Sequence, residues 1–303
     1  MENSRLLNLA GICLPITTCF DVTEQLDLVG FTANIRKWNT SGILGYVVLG
    51  STGERVNLDE QEYLRIVETA RAEVPTSMTL IVGAGQQSTR GTIHEICSAA
   101  STGADATLVL TPYFYRSAIT QDALITFYNR VADSSPIPVL LYSMPPLTGI
   151  KIEPETIARL AEHPNITGVK DSSNDIEGFR QTVELCPKEF AVLTGNGTVL
   201  LDALQSGATG GILAAGCAVP QVCLEVLRLF KVGEIDLARH LQSKLTPFAA
   251  AVTTRFGIGG LKAALDLAGY KGGGVRAPLQ SPTKVQQDEI LQLLDELRSA
   301  TRI

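Results

Sequence analysis

The sequence is poor in the residue types that build metal sites and disulfide frameworks. Its 303 residues include three histidines and six cysteines. The histidines, at positions 94, 163 and 240, form no H-E-x-x-H or similar ligand pattern. The cysteines contain no C-x-x-C pair and lie in apolar segments. We therefore expect no metal site, and we expect the cysteines to be reduced and mostly buried thiols.

Long apolar runs and an excess of positive charge are also missing. The longest segments without a charge, such as residues 207–224, are interrupted by glycine, proline and polar residues, so none provides the ~20-residue span that a bilayer requires. Residues 1–10 lack the apolar stretch and the cleavage site of a secretory signal. There are 25 Lys and Arg against 31 Asp and Glu, for a net charge of −6. We expect neither a membrane nor a nucleic acid as partner, and we expect a cytoplasmic location.

Apolar residues are plentiful, at 45% of the chain, and charged residues make up 18%. Short apolar runs recur along the chain, each followed by a polar turn and a segment with helical periodicity. The eight runs span residues 11–17, 46–49, 79–82, 107–110, 139–142, 166–169, 190–193 and 211–213. Eight β-then-α units without a G-x-G-x-x-G turn match a closed barrel better than a doubly wound sheet. We therefore predict an α/β protein with a (β/α)8 TIM barrel.

The pattern changes after residue 232, where only helical periodicity remains. Helices are predicted over residues 235–248, 260–267 and 286–297, separated by joints rich in glycine and proline. The connection to the preceding segment is too short for an independent module. We expect a barrel over residues 1–232 that contains the active site, and a C-terminal helical extension over residues 233–303 that packs on it.

Barrel enzymes place their catalytic groups at the carboxyl ends of the strands, and the sixth predicted strand ends in a lysine. Lys170 and Asp171 follow the apolar run at residues 166–169. A lysine at the tip of an apolar strand can react as the free amine, because burial disfavours its charged form. Lys170 is therefore a candidate Schiff-base nucleophile. The alternative is a structural ion pair between Lys170 and Asp171 at the rim.

Two other strand ends are polar. Tyr142 ends the fifth run and offers a phenol that can exchange a proton with a carbinolamine, although a tyrosine there can also be packing alone. The G-S-T-G-E sequence at residues 50–54 offers backbone N–H groups and the hydroxyls of Ser51 and Thr52 to a substrate carboxylate. Its alternative is an ordinary turn whose Glu54 begins a helix. We expect all three strand ends to face one pocket.

These motifs, in this order and at this spacing, resemble the dihydrodipicolinate synthase and N-acetylneuraminate lyase superfamily. The resemblance includes residues 50–54, Tyr142 ahead of two prolines and the T-G of residues 148–149, and G-V-K-D-S at residues 168–172. It extends over residues 11–279. Within the superfamily the chain is most similar to the 4-hydroxy-2-oxoglutarate aldolases, through its segments 250–258, 272–273 and 276–279.

The resemblance implies a role for each matching residue. Lys170 forms the Schiff base with pyruvate and Tyr142 transfers the proton, while Ser51 and Thr52 hold the pyruvate carboxylate and Ile212 presents its backbone to it. Members of the superfamily use neither a metal nor an organic cofactor. They act on small 2-oxo acids and are typically homotetramers, assembled as dimers of dimers.

Two positions depart from the family pattern. Leu147 stands where dihydrodipicolinate synthases have an arginine that binds the carboxylate of the second substrate, which weakens that assignment. Phe114 stands where the family commonly has a tyrosine that reaches across a dimer interface into the proton relay. Because a phenyl ring cannot transfer a proton, either Tyr113, Tyr115, Ser51 or water serves instead, or the reaction is slower.

From the sequence we expect a class I, Schiff-base aldolase that cleaves 4-hydroxy-2-oxoglutarate to pyruvate and glyoxylate. The alternatives within the superfamily are an aldolase or dehydratase for a 2-keto-3-deoxy sugar acid, and dihydrodipicolinate synthase. A different class, a non-catalytic barrel that senses a keto acid, stays open because a fold alone does not establish activity.

Overall fold

The protein forms a closed barrel of parallel strands, in a computed structural model that describes residues 7–300. Each strand pairs with its neighbours in sequence, and β1 closes the barrel against β8. The strands are β1 (Ile12–Pro15), β2 (Gly45–Val48), β3 (Thr79–Ala84), β4 (Ala106–Leu110), β5 (Val139–Ser143), β6 (Ile166–Asp171), β7 (Ala191–Thr194) and β8 (Gly210–Ile212). Every one of them overlaps a predicted apolar run, so the predicted (β/α)8 barrel is confirmed.

Helices connect the strands and continue beyond β8. They are α1 (Leu28–Trp38), α2 (Glu60–Glu73), α3 (Thr89–Ser101), α4 (Gln121–Ser134), α5 (Pro145–Thr148), α6 (Pro154–Leu160), α7 (Ile176–Leu185), α8 (Leu200–Gln205), α9 (Pro220–Lys231), α10 (Ile235–Ala250), α11 (Gly257–Leu267) and α12 (Lys284–Ala300). In the described part of the chain, none of them combines the length and the hydropathy needed to cross a membrane.

Local sequence explains where several helices begin. The Asp59 side chain accepts the Glu62 N–H while the Glu62 side chain accepts the Asp59 N–H, which forms a capping box at the start of α2. Ser88 caps α3 and Asp175 caps α7, and each side chain accepts the backbone N–H of the residue three positions ahead. Each cap stabilises its helix by about 1 kcal/mol.

Alternation along the strands separates two sets of apolar side chains. One buried cluster includes Cys13, Leu108, Leu140 and Ile212, which come from β1, β4, β5 and β8, and it fills the barrel interior. Tyr142 belongs to the same cluster. The neighbouring strand β6 places Lys170 directly beside Tyr142. A lysine therefore lies at the end of an apolar interior.

The C-terminal helices pack against the barrel rather than forming a separate core. Leu245, Leu261 and Leu294, from α10, α11 and α12, belong to the same buried cluster as barrel residues such as Leu14 and Trp38. The helix α9 ends at Lys231 and α10 begins at Ile235. The division of the chain into two parts at residue 232 stays a prediction.

Most cysteine side chains lie inside the fold. Cys13, Cys19, Cys217 and Cys223 are buried, while Cys97 is exposed and all six are free thiols. Burial raises the pKa of the Cys13 thiol to about 12. Buried thiols of this kind are structural, because the reactive thiolate is strongly disfavoured.

Candidate active site

The candidate nucleophile and the candidate proton donor lie on adjacent strands at the same height. Tyr142 on β5 is the register partner of Lys170 on β6. The Lys170 side chain is buried, and its Nζ lies 3.4 Å from the Tyr142 hydroxyl oxygen and 4.4 Å from the centre of the Tyr142 ring. The strand pairing thus brings together two residues that are 28 positions apart in sequence.

The structure excludes the ion pair that was the alternative for Lys170. Successive residues of a strand point to opposite faces, so Asp171 faces away from the Lys170 side chain. Among the ion pairs within residues 7–300, none joins these two residues. The Asp171 carboxylate instead accepts the Ser173 N–H at 2.7 Å, and burial raises its pKa. Lys170 therefore keeps its amine available for chemistry.

A glycine directly after the next strand, β7, leaves space for the Lys170 side chain. A Cβ at Gly195, immediately after β7, would lie 2.6 Å from the Lys170 Cε and would overlap the Ser172 hydroxyl. Any side chain at this position would displace the candidate nucleophile. Sequence reasoning missed Gly195, although it opens the G-N-G that follows the seventh apolar run.

The third predicted strand end joins the same group. The Ser51 Oγ lies 2.9 Å from the Tyr142 hydroxyl oxygen, so Lys170, Tyr142 and Ser51 form a continuous hydrogen-bonded chain. The hydroxyl of Ser51 was one of the proposed substitutes for a family tyrosine. This geometry lets a proton move between the Tyr142 phenol and Ser51.

The turn that contains Ser51 has an uncommon backbone. Residues Ser51–Gly53 form one turn of 3-10 helix. Leu49 before it (φ 59°) and Glu54 after it (φ 54°) both adopt the left-handed region. Each non-glycine residue in that region costs roughly 1–3 kcal/mol, and such residues concentrate at functional sites.

A cavity of about 340 Å³ opens beside these residues. Ser51 and Tyr142 line it, and we call these two residues, together with the Lys170 that is hydrogen-bonded to Tyr142, the polar end. Thr52 is buried in the turn and is not among the described residues that line the cavity, so its predicted contact with a carboxylate stays a prediction. Lys170 adjoins the cavity through Tyr142.

The lining of the cavity also includes a group of four apolar residues. They are Leu147, Ile258, Pro278 and Leu279, and we call these four residues the distal wall. Three of them belong to the C-terminal extension, to which the sequence analysis assigned no part of the site. The family resemblance at residues 250–258 and 276–279 was the available signal, but nothing in the apolar residue types themselves indicates a binding surface.

The two departures from the family pattern have different surroundings. Leu147 lines the cavity, so the position at which dihydrodipicolinate synthases have an arginine contributes an apolar side chain to the distal wall. Phe114 is 71% exposed and packs edge-on against Tyr115, with ring centres 5.0 Å apart. The backbone N–H groups of Tyr113 and Phe114 both donate to the Gln87 side chain, which fixes this loop beside the cavity.

A larger cavity of about 730 Å³ lies next to the first, and Tyr113 lines both. Its wall includes Tyr115, His94 and the ion-paired Arg55 and Glu95. Lys170 and Tyr142 are not among the described residues that line it. We place the candidate active site in the smaller cavity, because Tyr142 lines it and is hydrogen-bonded to both Lys170 and Ser51.

Ile212 is the last residue of β8 and its side chain is buried in the barrel interior. Its predicted contact with a substrate carboxylate stays a prediction. Within residues 7–300, no group of three or more His, Cys, Asp and Glu side chains is arranged to hold a metal ion.

Comparison with known proteins gives consistent relatives. A model of the dihydrodipicolinate synthetase family matches residues 8–297. The chain is 31% identical over 290 residues to a protein of Exiguobacterium sp. named 4-hydroxy-tetrahydrodipicolinate synthase, covering 94% of this chain and 97% of the relative. It is 34% identical over 274 residues to a protein of Halobacterium salinarum named an uncharacterized DapA-like lyase, covering 90% and 89%.

A solved structure is also similar over nearly the whole chain. It is the crystal structure of YagE, a prophage protein of the dihydrodipicolinic acid synthase family from E. coli K12, in complex with pyruvate. The two share a TM-score of 0.90 and 29% sequence identity, with 96% of this chain and 99% of that chain covered.

Proposed function

Because the chain belongs to the dihydrodipicolinate synthetase family, a family of carbon–carbon lyases, we propose that Lys170 forms a Schiff base with the ketone of a 2-oxo acid. The observation that supports this proposal best is the hydrogen-bonded chain of Lys170, Tyr142 and Ser51 at one cavity. A barrel that only bound a keto acid would need no nucleophilic amine beside a proton donor, which argues against the sensor alternative.

The mechanism follows from the positions of these groups. The neutral Lys170 amine attacks the C2 ketone of the substrate, and the carbinolamine loses water to give an iminium ion. Tyr142 removes the proton from the C4 hydroxyl, the C3–C4 bond breaks, and its electrons flow to the iminium nitrogen as an aldehyde leaves. Protonation of the enamine and hydrolysis of the imine release pyruvate and restore Lys170. Ser51 and Thr52 hold the substrate carboxylate.

The substrate that we propose is 4-hydroxy-2-oxoglutarate, which gives pyruvate and glyoxylate. The C-terminal segments that resemble the corresponding aldolases support it, and two of them contribute Ile258, Pro278 and Leu279 to the cavity. A 2-keto-3-deoxy sugar acid is the alternative, because the same polar end would hold its pyruvate half.

A second candidate is the condensation of pyruvate with aspartate semialdehyde. The name of the Exiguobacterium relative, 4-hydroxy-tetrahydrodipicolinate synthase, favours it. The residue at position 147 argues against it, since Leu147 cannot form the paired N–H bonds by which an arginine binds a carboxylate.

Borohydride trapping and a substrate panel test the proposal. Reduction in the presence of pyruvate should add one pyruvate-derived group per chain, and peptide mapping should place it on Lys170. The panel compares pyruvate release from 4-hydroxy-2-oxoglutarate and from 2-keto-3-deoxy sugar acids with the consumption of aspartate semialdehyde, with and without a chelator. Labelling of another lysine, or turnover that requires an added metal, would contradict the Schiff-base mechanism.

We also propose a homotetramer, a dimer of dimers, in the cytoplasm. The exposed rings of Phe114 and Tyr115 beside the cavity give an aromatic surface suited to contact with a second copy. Light scattering on the purified protein measures the mass of the assembly, and a monomeric mass would contradict this assignment.

A further inference from the structure

Two buried charges in the molecule have no part in the proposed chemistry. The Lys262 Nζ lies 2.6 Å from a carboxylate oxygen of Glu54, and each side chain is only 1% exposed. Burying an ion pair costs desolvation energy that apolar side chains of similar volume would avoid. A reason other than stability is therefore required for keeping these two residues.

Lys262 is held from several sides. It lies on α11, where its Nζ also donates to the Gly274 carbonyl at 2.6 Å and sits 4.5 Å from the centre of the Phe20 ring. Burial lowers the pKa of Lys262, and the neighbouring Glu54 opposes that shift. The Lys262 side chain is thus held in one position by Glu54, Gly274 and Phe20.

Glu54 stands directly after the turn that contains Ser51. Its N–H donates to the Ser51 carbonyl at 3.2 Å, and it adopts the left-handed backbone region that favours glycine or asparagine. A glutamate is a poor choice for this backbone. The ion pair that its side chain forms with the buried Lys262 offsets the cost of this backbone conformation.

The same carboxylate also holds the segment that ends in the distal wall. Its second oxygen accepts the Arg276 backbone N–H at 3.1 Å. Pro278 and Leu279, which line the cavity, follow Arg276 in the chain. Glu54 therefore connects the turn at the polar end, through its backbone N–H, with the segment that leads into the distal wall, through its carboxylate.

We propose that Glu54 and Lys262 are a positioning pair, which sets the Ser51 turn against Tyr142 and fixes the spacing between the polar end and the distal wall. The pair contacts neither the reacting atoms nor the nucleophile. Its effect is on how well the turn binds the substrate carboxylate, so this inference rests on the proposed function for its readout.

The test separates positioning from stability by neutralising the pair in two ways. Lys262→Met alone leaves the Glu54 charge buried without a partner and should lower the unfolding midpoint. The double variant Glu54→Gln, Lys262→Met removes both charges and should recover most of that midpoint. The pyruvate concentration that gives half-maximal borohydride trapping of this double variant should nevertheless stay ~10-fold or more above that of the wild type. The reason is that the ion pair no longer holds the Ser51 turn.

A matched control lies at the other end of the barrel. Arg71 and Asp105 form an ion pair next to the amino end of β4, away from the cavity. The variant Arg71→Met should lower the midpoint without changing the half-saturating pyruvate concentration. Lys262→Arg keeps the charge, so its half-saturating pyruvate concentration should lie closer to the wild-type value than that of the double variant.

Hydrogen exchange supplies a readout that does not depend on pyruvate. The amides of Gly53 and Glu54, bonded to Gly50 and Ser51, should exchange faster in the double variant than in the wild type. A double variant with wild-type pyruvate saturation and wild-type exchange at residues 53 and 54 would overturn the positioning role. Failure of the wild type itself to be trapped on Lys170 would overturn the proposed function instead, while the exchange result would still decide this inference.

Discussion

The polar end and the distal wall of the cavity differ in origin as well as in polarity. The polar end is built from the ends of β2, β5 and β6, where Ser51, Tyr142 and Lys170 converge. The distal wall is apolar, and three of its four residues come from the C-terminal extension. The strands of a barrel are fixed by their pairing, whereas the extension can change with less effect on the strand ends. The proposed mechanism therefore uses residues at the strand ends, whereas most of the residues proposed to face the aldehyde part of the substrate belong to the extension.

The largest effect is expected at the nucleophile. Lys170→Ala should abolish both turnover and borohydride trapping, because the described residues that line the cavity include no lysine that could replace it. Circular dichroism and the unfolding midpoint should stay close to those of the wild type, since a barrel end tolerates a shorter side chain. Turnover is followed by pyruvate release, and trapping by mass spectrometry.

The control for this variant is the other buried lysine. Lys262 is as buried as Lys170 but is paired with Glu54. Lys262→Arg should retain trapping on Lys170. Wild-type turnover by Lys170→Ala would exclude Lys170 as the nucleophile.

The next effect is expected at the proton donor. Tyr142→Phe removes the hydroxyl that lies between Lys170 and Ser51 and should slow cleavage ~10²-fold or more, the usual range for a positioned acid or base. Imine formation with pyruvate should persist in part, because the amine is unchanged. Single-turnover cleavage measures the first effect and borohydride trapping the second. If cleavage stays as fast as in the wild type, Tyr142 is packing only.

The polar end was predictable from local sequence. Apolar runs locate the strands, and the rule that parallel strands present their carboxyl ends on one face brings Tyr142, Lys170 and the Ser51 turn together. What the pattern left open was the partner of Lys170. Alternation of side chains along β6 decides that question in favour of Tyr142 over Asp171.

The distal wall and the Glu54–Lys262 pair were not predictable in the same way. They depend on how α11 and the segment after it fold back over the barrel, a contact between residues more than 200 positions apart. One signal was present: Lys262 is a lone cation in the otherwise largely apolar α11. A charge in such a helix indicates a buried partner, but it does not say which carboxylate that partner is.

A smaller effect is expected from changing the distal wall. Leu147→Arg introduces a guanidinium at the cavity and should raise kcat/KM for aspartate semialdehyde relative to 4-hydroxy-2-oxoglutarate by ~10-fold. In the wild type, condensation with aspartate semialdehyde should be much less efficient than cleavage of a short 4-hydroxy-2-oxo acid. Half-saturation by pyruvate in the trapping assay should stay unchanged, because the polar end is intact.

Leu147→Met is the matched control, since it changes shape without adding charge. It should leave the ratio of the kcat/KM values for the two reactions within a few-fold of the wild-type ratio. A wild-type preference for aspartate semialdehyde would overturn the proposed substrate and leave Lys170 and the fold untouched.

The smallest effect concerns what holds the distal wall in place. The Arg276 guanidinium binds both carboxylate oxygens of Glu62 at 2.7 Å, and this contact lowers the pKa of Glu62. A carboxyl group whose pKa is lower in the folded than in the unfolded protein stabilises the fold at pH values above its unfolded-state pKa of about 4.3. This contribution is lost as the pH falls through the folded-state pKa. Glu62→Gln should therefore lower the unfolding midpoint by ~2 °C at pH 7, and the deficit should shrink below about pH 4.

Glu73→Gln provides the comparison that assigns this effect to the cavity. Glu73 is bound in the same two-oxygen manner by Arg36, and that contact likewise lowers its pKa, but neither residue adjoins Pro278 and Leu279 in the chain. Both variants should show the same direction of pH dependence in the midpoint, measured by scanning calorimetry at several pH values. Only Glu62→Gln should also raise the KM for cleavage, ~2-fold, because Arg276 directly precedes the segment that forms the distal wall. Equal KM values in the two variants would mean that the wall keeps its place without this ion pair, and that the buried Glu54 carboxylate alone holds the segment.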